Sequence, residues 1–397
     1  MFTRRKLLGA GAAALAAPVL LDRRILRPAD GATPATLDVR LVNNTGNGQV
    51  YAYVVGIDPT NGKWMFLQAD GRTKYYPPSP PAPGAPLGAN CSIPLSGPGG
   101  SRTITIPWII SCRVFFSIGS ELTFLINPGP GIVMPSVANP SDPNINKVWG
   151  FCEFTYDTNQ LYANITYVDF VSIPISLHLT DPQGIQSAPG LPSGGLATVA
   201  DKLRSQASAD GSDWAKLLKT DSSGRTIRAL SPSLGGDSLF NGYLQSYVDE
   251  TWNRYTSTDL LIDTQFTWGV QRGRVQNGLL TFPGAGSFAK PSTYAIWNCS
   301  QPPFTTNNDL MGNLSARLAA ALNRTTLRDN PNQPDTGSGN FYKNSRTNHY
   351  ARIVHETASD GRGYAFPYDD VHNGPGDWEG KVQSGSPSTF SITVGAV

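Results

Sequence analysis

Two carboxylates sixteen residues apart, Glu153 and Asp169, stand in a strongly aromatic and β-branched stretch, WGFCEFTYDTNQLYANITYVDFVSIPISLH (149–178). FCEFTY and YANITYVDFVSIPI have strand character, and DTNQ between them is turn chemistry. Side chains alternate along a strand, so Glu153, Thr155 and Asp157 share one side. Ile165, Tyr167 and Asp169 share one side of the second strand. If the two sides are one face of one sheet, both acids point into one space. That arrangement serves general acid and base work on a glycosidic bond. Acids on the open face of an antiparallel sheet are also ordinary solvated surface, so the pair alone names no reaction.

Other chemistries find less support. The four histidines (His178, His349, His355, His372) lack metal-ligand spacing, and His178 in an alternating strand reads as a structural residue. Cys91, Cys112, Cys152 and Cys299 are too scattered for zinc. They allow up to two disulfides, with three connectivities, or free buried thiols. Cys152 adjoins Glu153 and is expected on the opposite, core-facing side. No GxSxG elbow marks a nucleophilic serine, and the glycine runs SGPGGS and PGAGS lack a phosphate-loop lysine. No metal and no cofactor is expected.

The elements that must position the two acids belong to a loop-rich β protein. Charged residues are only 15% of 397, whereas there are 41 Gly, 32 Pro and 15 Tyr. At the start, Thr3-Arg4-Arg5-Lys6-Leu7-Leu8 precedes an apolar run of about fifteen residues, short of the roughly 20 that span a bilayer. This reads as an export signal of the twin-arginine type over residues 1–35, and the mature protein as secreted, with no membrane attachment. Without residues 1–35 the chain holds 25 basic and 27 acidic side chains, so no basic field recruits nucleic acid. From Thr36, Leu37, Val39 and Leu41 alternate and a Gly/Asn turn leads to a second strand, which predicts a hairpin. YYPPSPPAPGAPLG (75–88) is a Pro-rich loop, and SRTITIPWIISCRVFFSIG (101–119) and ELTFLINPGPGIVMP (121–135) add strands.

After residue 180 the character changes. Thr198 is expected to cap a helix with Val199, Leu203 and Ala207, and Asp237 to open another through Phe240, Tyr243, Leu244, Tyr247, Val248 and Trp252. DLLIDTQFTWGV, GRVQNGLLTF and STYAIWNCS read as strands, and residues 308–325 as a helix. YARIVHETASDGRGYAFPYDDV and STFSITVGAV read again as strands of the first type. The expected layout is a β-sandwich core over 36–180, an inserted mixed α/β domain over 181–340, and C-terminal strands over 341–397 that complete the first domain.

In this order the features resemble the thaumatin-like β-sandwich, and more closely glycoside hydrolase family 64, the laminaripentaose-producing endo-β-1,3-glucanases. The resemblance rests on Trp149-Gly150-Phe151-Cys152-Glu153-Phe154-Thr155-Tyr156, Leu161-Tyr162-Ala163-Asn164-Ile165 and Tyr167-Val168-Asp169-Phe170-Val171. Gly363-Tyr364-Ala365-Phe366-Pro367-Tyr368-Asp369-Asp370 is similar to a late segment of thaumatin-like proteins. The resemblance implies a mainly β fold, a barrel-like antiparallel sandwich with an α/β domain flanking a wide groove. It implies Glu153 as general acid, Asp169 as general base, and inversion at the anomeric carbon. Glu153 must then be protonated to donate, which apolar surroundings from Phe151 and Phe154 favour. Thr155, Asp157 and Tyr162 match the sugar path. Where thaumatin-like proteins carry a further acid this chain has Asn164, and Asp369 is the candidate third acid. Tyr162 and Tyr167, with Tyr156, Tyr75 and Tyr76, offer flat faces for sugars, although each also suits packing. The implied partner is β-1,3-glucan (laminarin, curdlan or fungal cell wall) met by a monomer. The other function these features allow is a non-catalytic β-glucan-binding or antifungal protein.

Overall fold

A computed structural model describes residues 33–373 and 377–397; the predicted export signal over its first 32 residues lies outside the described residues. The chain is mainly β and divides into two compact units. The first takes the chain up to Asn164, then Ile175–Ser187 and Val382–Ala396. The second takes Ile165–Pro174 and Ala188–Lys381.

The first unit is built on two large sheets and also holds a small three-stranded one, Gly131–Val133, Leu125–Asn127 and Ala85–Pro86. One has five strands in the order Gly184–Ala188, Ile175–Asp181, Thr389–Gly395, Thr36–Asn44, Ser101–Pro107. Thr36–Asn44 buries every second residue, Leu37, Val39, Leu41 and Asn43, so one face is dry and the other wet. It runs parallel to Thr389–Gly395, with Val39 opposite Phe390 and Leu41 opposite Ile392, and antiparallel to Ser101–Pro107. The last strand therefore fills the middle of the sheet that the first strand helps begin.

The predicted hairpin after Thr36 does not form. Val50–Ile57 belongs to the other, eight-stranded sheet, where it pairs Trp64–Leu67, Ile93–Pro94 and Ile109–Ile118. The Gly/Asn turn carries the chain from one sheet to the other, and alternation alone cannot tell these outcomes apart. In the larger sheet Val148–Tyr156 lies antiparallel to Ile109–Ile118. Its even-numbered side chains face inward, and Phe154 meets Phe390 of the five-stranded sheet edge-on at 6.4 Å. Its odd-numbered side chains face the other way. There Trp149 and Phe151 pack with Phe115, and Phe115 packs against Phe124, which also contacts Tyr53 and Phe66.

The second unit mixes helices with two small sheets. Helix Gly195–Asp210 starts three residues before Thr198 and ends at Gly211 (φ 69°), whose N–H donates to the Ala207 carbonyl. The helix predicted from Asp237 is broken: Gly236–Leu239 is one short turn, and Gln245–Arg254 resumes after Gly242 at φ 73°. Two segments read as strands are helices, Thr293–Asn298 and His349–Thr357. Each is started by a side-chain cap, from Ser292 to the Ala295 N–H and from Asn348 to the Ala351 N–H. Leu310–Asn323 is helical as expected, with Asp309 as its cap.

Candidate active site

Glu153 is held by a rigid rung of the first unit. It lies opposite Arg113, which lies opposite Val55 on the next strand. Arg113 Nε donates to Glu153 Oε1 at 2.9 Å, and the two side chains are 19% and 16% exposed. The guanidinium also sits 4.4 Å from the centre of the Phe151 ring. Glu153 thus marks the place where the aromatic layer gives way to a polar, solvent-reaching pair. Cys152 faces the opposite side and is fully buried, as alternation required. Phe154 shares the face of Cys152, so of the two phenylalanines expected around Glu153 only Phe151 lies on its side of the sheet.

The rung is shaped by a bulge. Between Phe154 and Tyr156 the partner strand advances from Cys112 to Ile109, and the same extra residue is seen against Val55 and Ile57. Ser111 supplies it, at φ 50°. Thr155, partly buried, lies beside this irregularity. Asp157 follows the strand, and its Oδ1 accepts the N–H groups of Asn159 (2.8 Å) and Gln160 (3.1 Å), an Asx turn. Tyr162 is 8% exposed in a strand buried throughout.

Asp169 belongs to the second unit and is not on a strand. The strand Leu161–Ile165 stops, Thr166 makes one isolated bridge to Tyr364, and Val168 and Asp169 form a bend before the two-residue strand Phe170–Val171. The expected sharing of one strand face by Ile165, Tyr167 and Asp169 is therefore corrected. Asp169 is partly exposed, and its carbonyl accepts the Ser231 N–H at 2.9 Å.

Two other expected sugar contacts are core residues. Tyr167 is 4% exposed and its hydroxyl accepts the Leu191 N–H at 3.0 Å. Asp369 is completely buried. Its Oδ1 accepts from Arg324 Nη2 and its Oδ2 from the Ala365 N–H, both oxygens lying within 2.8–3.0 Å of these donors, and His355 Nε2 is 2.8 Å from Oδ2. Burial opposes its charge, but His355 and Arg324 hold its carboxyl below the usual range. His178 is exposed rather than packed. All four cysteines are free and buried, so the open choice falls to thiols.

Sequence reasoning missed Arg113, although an arginine alone in the apolar run SCRVFFSI was a visible signal of a face change. It also missed Asp370, the partly exposed neighbour of Asp369, because an Asp-Asp pair does not say which member points inward.

The chain is a mainly β protein in which Glu153 reaches solvent where aromatic packing ends, and its family follows from its likeness to known proteins. The profile of the Beta-1,3-glucanase family matches residues 35–394. The chain belongs to that family, glycoside hydrolase family 64. It is 35% identical over 375 residues to proteins named glucan endo-1,3-beta-glucosidase from Cellulosimicrobium cellulans and an Arthrobacter species. Those matches cover 91% of this chain and 66% of each relative, so the chain spans just under two thirds of their length. Among solved structures, a laminaripentaose-producing beta-1,3-glucanase in complex with laminaritetraose superposes with TM-score 0.80 at 34% identity, over 91% of this chain and 99% of that one. A beta-1,3-glucanase domain from Clostridium beijerinckii shares the fold at 22% identity, with TM-score 0.70 over 91% and 98%.

Proposed function

We propose that this protein is an endo-acting β-1,3-glucanase that cleaves by inversion, with Glu153 as general acid and Asp169 as general base. The observation that carries the reading is the family match across residues 35–394. Glu153 would give its proton to the glycosidic oxygen as the C1–O bond breaks. A water on the opposite face would attack C1 and lose its proton to Asp169. Inversion asks for about 6.5–9.5 Å between the two carboxyl groups. Thr155, Asp157 and Tyr162 are the proposed sugar contacts. Release of a five-sugar product is proposed from the likeness to the laminaripentaose-producing enzyme. Action outside the cell is proposed from the arginine pair and apolar run at the start of the sequence.

The test is release of reducing ends from laminarin and curdlan, with product lengths from chromatography and the product anomer from NMR. Glu153→Gln and Asp169→Asn should each lower kcat by about 10²–10⁴, with glucan affinity nearly unchanged. Near-normal hydrolysis by either variant removes that residue from the mechanism. No release from any β-1,3-glucan leaves a protein that binds glucan without cutting it.

A further inference from the structure

The bend that carries Asp169 is braced by chain two hundred residues further on. Ile165 N–H donates to the Gly380 carbonyl at 3.1 Å and Tyr167 N–H to the Tyr364 carbonyl at 2.7 Å. Thr166 bridges Tyr364 in parallel, and the buried Tyr350 hydroxyl donates to the Tyr167 carbonyl at 2.6 Å. At Gly363 a Cβ would stand 3.1 Å from the Tyr167 ring, so the two segments pack closely there. Tyr364 is the hub of the brace. Its main chain holds the residues just before Asp169, and its hydroxyl donates to Asp370 Oδ1 at 3.1 Å.

Asp370 is partly exposed, unlike Asp369. The groups that face it come from every side. The Glu379 carboxylate is itself paired with Lys381 at 2.7 Å, and the Lys381 ammonium and the Arg317 guanidinium of helix Leu310–Asn323 both act on Asp370 electrostatically. On its own loop, His372 Nδ1 sits 3.0 Å from the Asp370 carbonyl oxygen. Burial, and then the Glu379 charge, push the Asp370 carboxyl up to about 6.

We propose that Asp370 is a positioning residue for Asp169, gripping the Tyr364 hydroxyl when ionised and loosening that grip when protonated. A hydrogen bond to a carboxylate is about twice as strong as one to a neutral acceptor, so the brace weakens as Asp370 takes up a proton. The inference rests on the reading of Asp169 as the base. Activity that depends on the brace is full above about pH 6 and falls below it.

The experiment is the pH profile of kcat on laminarin for the full protein and for Asp370→Asn, Asp370→Glu and Tyr364→Phe, with KM and thermal unfolding alongside. In Asp370→Asn and Tyr364→Phe the acid limb near pH 6 disappears. Their kcat at pH 7.5 drops about tenfold, as a small misplacement of a reacting group does, KM holds, and the difference from the parent closes at pH 5. Asp370→Glu keeps the limb. Tyr364→Phe removes only the hydroxyl, so it reports even if Asp370→Asn is unstable. Parent-like pH profiles in both Asp370→Asn and Tyr364→Phe overturn the proposal. Asp169→Asn, measured in the same series, separates the two ideas: if it alone stays active, the base assignment has failed and the brace has nothing to position.

Discussion

Glu153, the proposed proton donor, has Arg113 at 2.9 Å. The pair is only partly buried, so it contributes about 0.2–1 kcal/mol to stability. Its larger effect is to fix the Glu153 rotamer on a face that otherwise turns aromatic. Arg113→Gln should therefore lower kcat by about tenfold while unfolding shifts by no more than about 4 °C. Arg113→Lys should recover little of it, because an ammonium lacks the planar fork that rests on Phe151. A large loss of stability with unchanged kcat would reverse this assignment. Asp369 presents the opposite case, a carboxylate with no access to solvent. Removing its charge leaves Arg324 buried without its acid, and Asp369→Asn should cost about 3–5 kcal/mol in denaturant unfolding. The pH dependence has two signs. Asp369, lowered from 3.8, contributes stability above that value and loses it as pH falls through the folded pKa. For His355, burial opposes the charge, but Asp369 overrides it and raises the imidazole above 6.5. Its contribution is complete below 6.5 and is lost as pH rises through the folded value. Stability from this pair should thus peak between the two, and Asp369→Asn should flatten that peak.

Among the elements, the bulge at Ser111 sets where Arg113 stands, and it leaves little room on its neighbour strand. A Cβ at Gly56 would lie 2.7 Å from Ile109 Cγ1 and 2.9 Å from the Ile110 carbonyl oxygen. Backbone cannot step aside as a side chain can, so Gly56→Ala should destabilise by about 1–3 kcal/mol. Because the strain falls beside the bulge, the same variant should also lower kcat, read by unfolding and laminarin hydrolysis on one preparation. The sequence made the strand Val148–Tyr156 legible because it is a run of aromatic and apolar residues, alternating in burial only from Glu153 onward. It hid the bulge, since one extra residue in Ile109–Ile118 leaves the run apolar. Asp169 was misplaced for a related reason: Tyr167-Val168-Asp169-Phe170-Val171 has strand composition, yet the backbone pairs with Tyr364 once and then bends. The stretch His349–Thr357, most of it in a segment expected as strand, holds the β-branched pair Ile353 and Val354. Its asparagine cap, and a buried face of Tyr350, Ile353, Val354 and Thr357, make it a helix. At Asp169 a contact distant in sequence outweighed local preference, whereas at His349–Thr357 the local cap decided.

At the scale of the molecule, what replaces cross-links is burial. A chain of 397 residues can build a core that holds without disulfides, and all four cysteines here are buried and free. Cys112 and Cys152 come nearest to a pair in the ladder. Phe154 stands opposite Cys112 and Val114 opposite Cys152, which makes the two cysteines diagonal neighbours. Diagonal positions are about 7–8 Å apart, beyond the usual reach of a disulfide. Burial pushes the Cys91 thiol up to about 12 and raises the other three as well, so no thiolate is available to start exchange. Cohesion of the first unit instead depends on its end: Thr389–Gly395 lies between Thr36–Asn44 and Ile175–Asp181, with Phe390, Ile392 and Val394 fully buried. Two results should follow together. An aromatic disulfide reagent should find no reactive thiol in the native protein and four after denaturation, and the unfolding midpoint should be the same with and without reductant. Removal of residues 389–397 should abolish cooperative unfolding even in oxidising buffer, because no covalent bridge stands in for the missing central strand. A midpoint that falls on adding reductant would show that a disulfide carries stability after all, and burial of the last strand would then be only part of what closes the sheet.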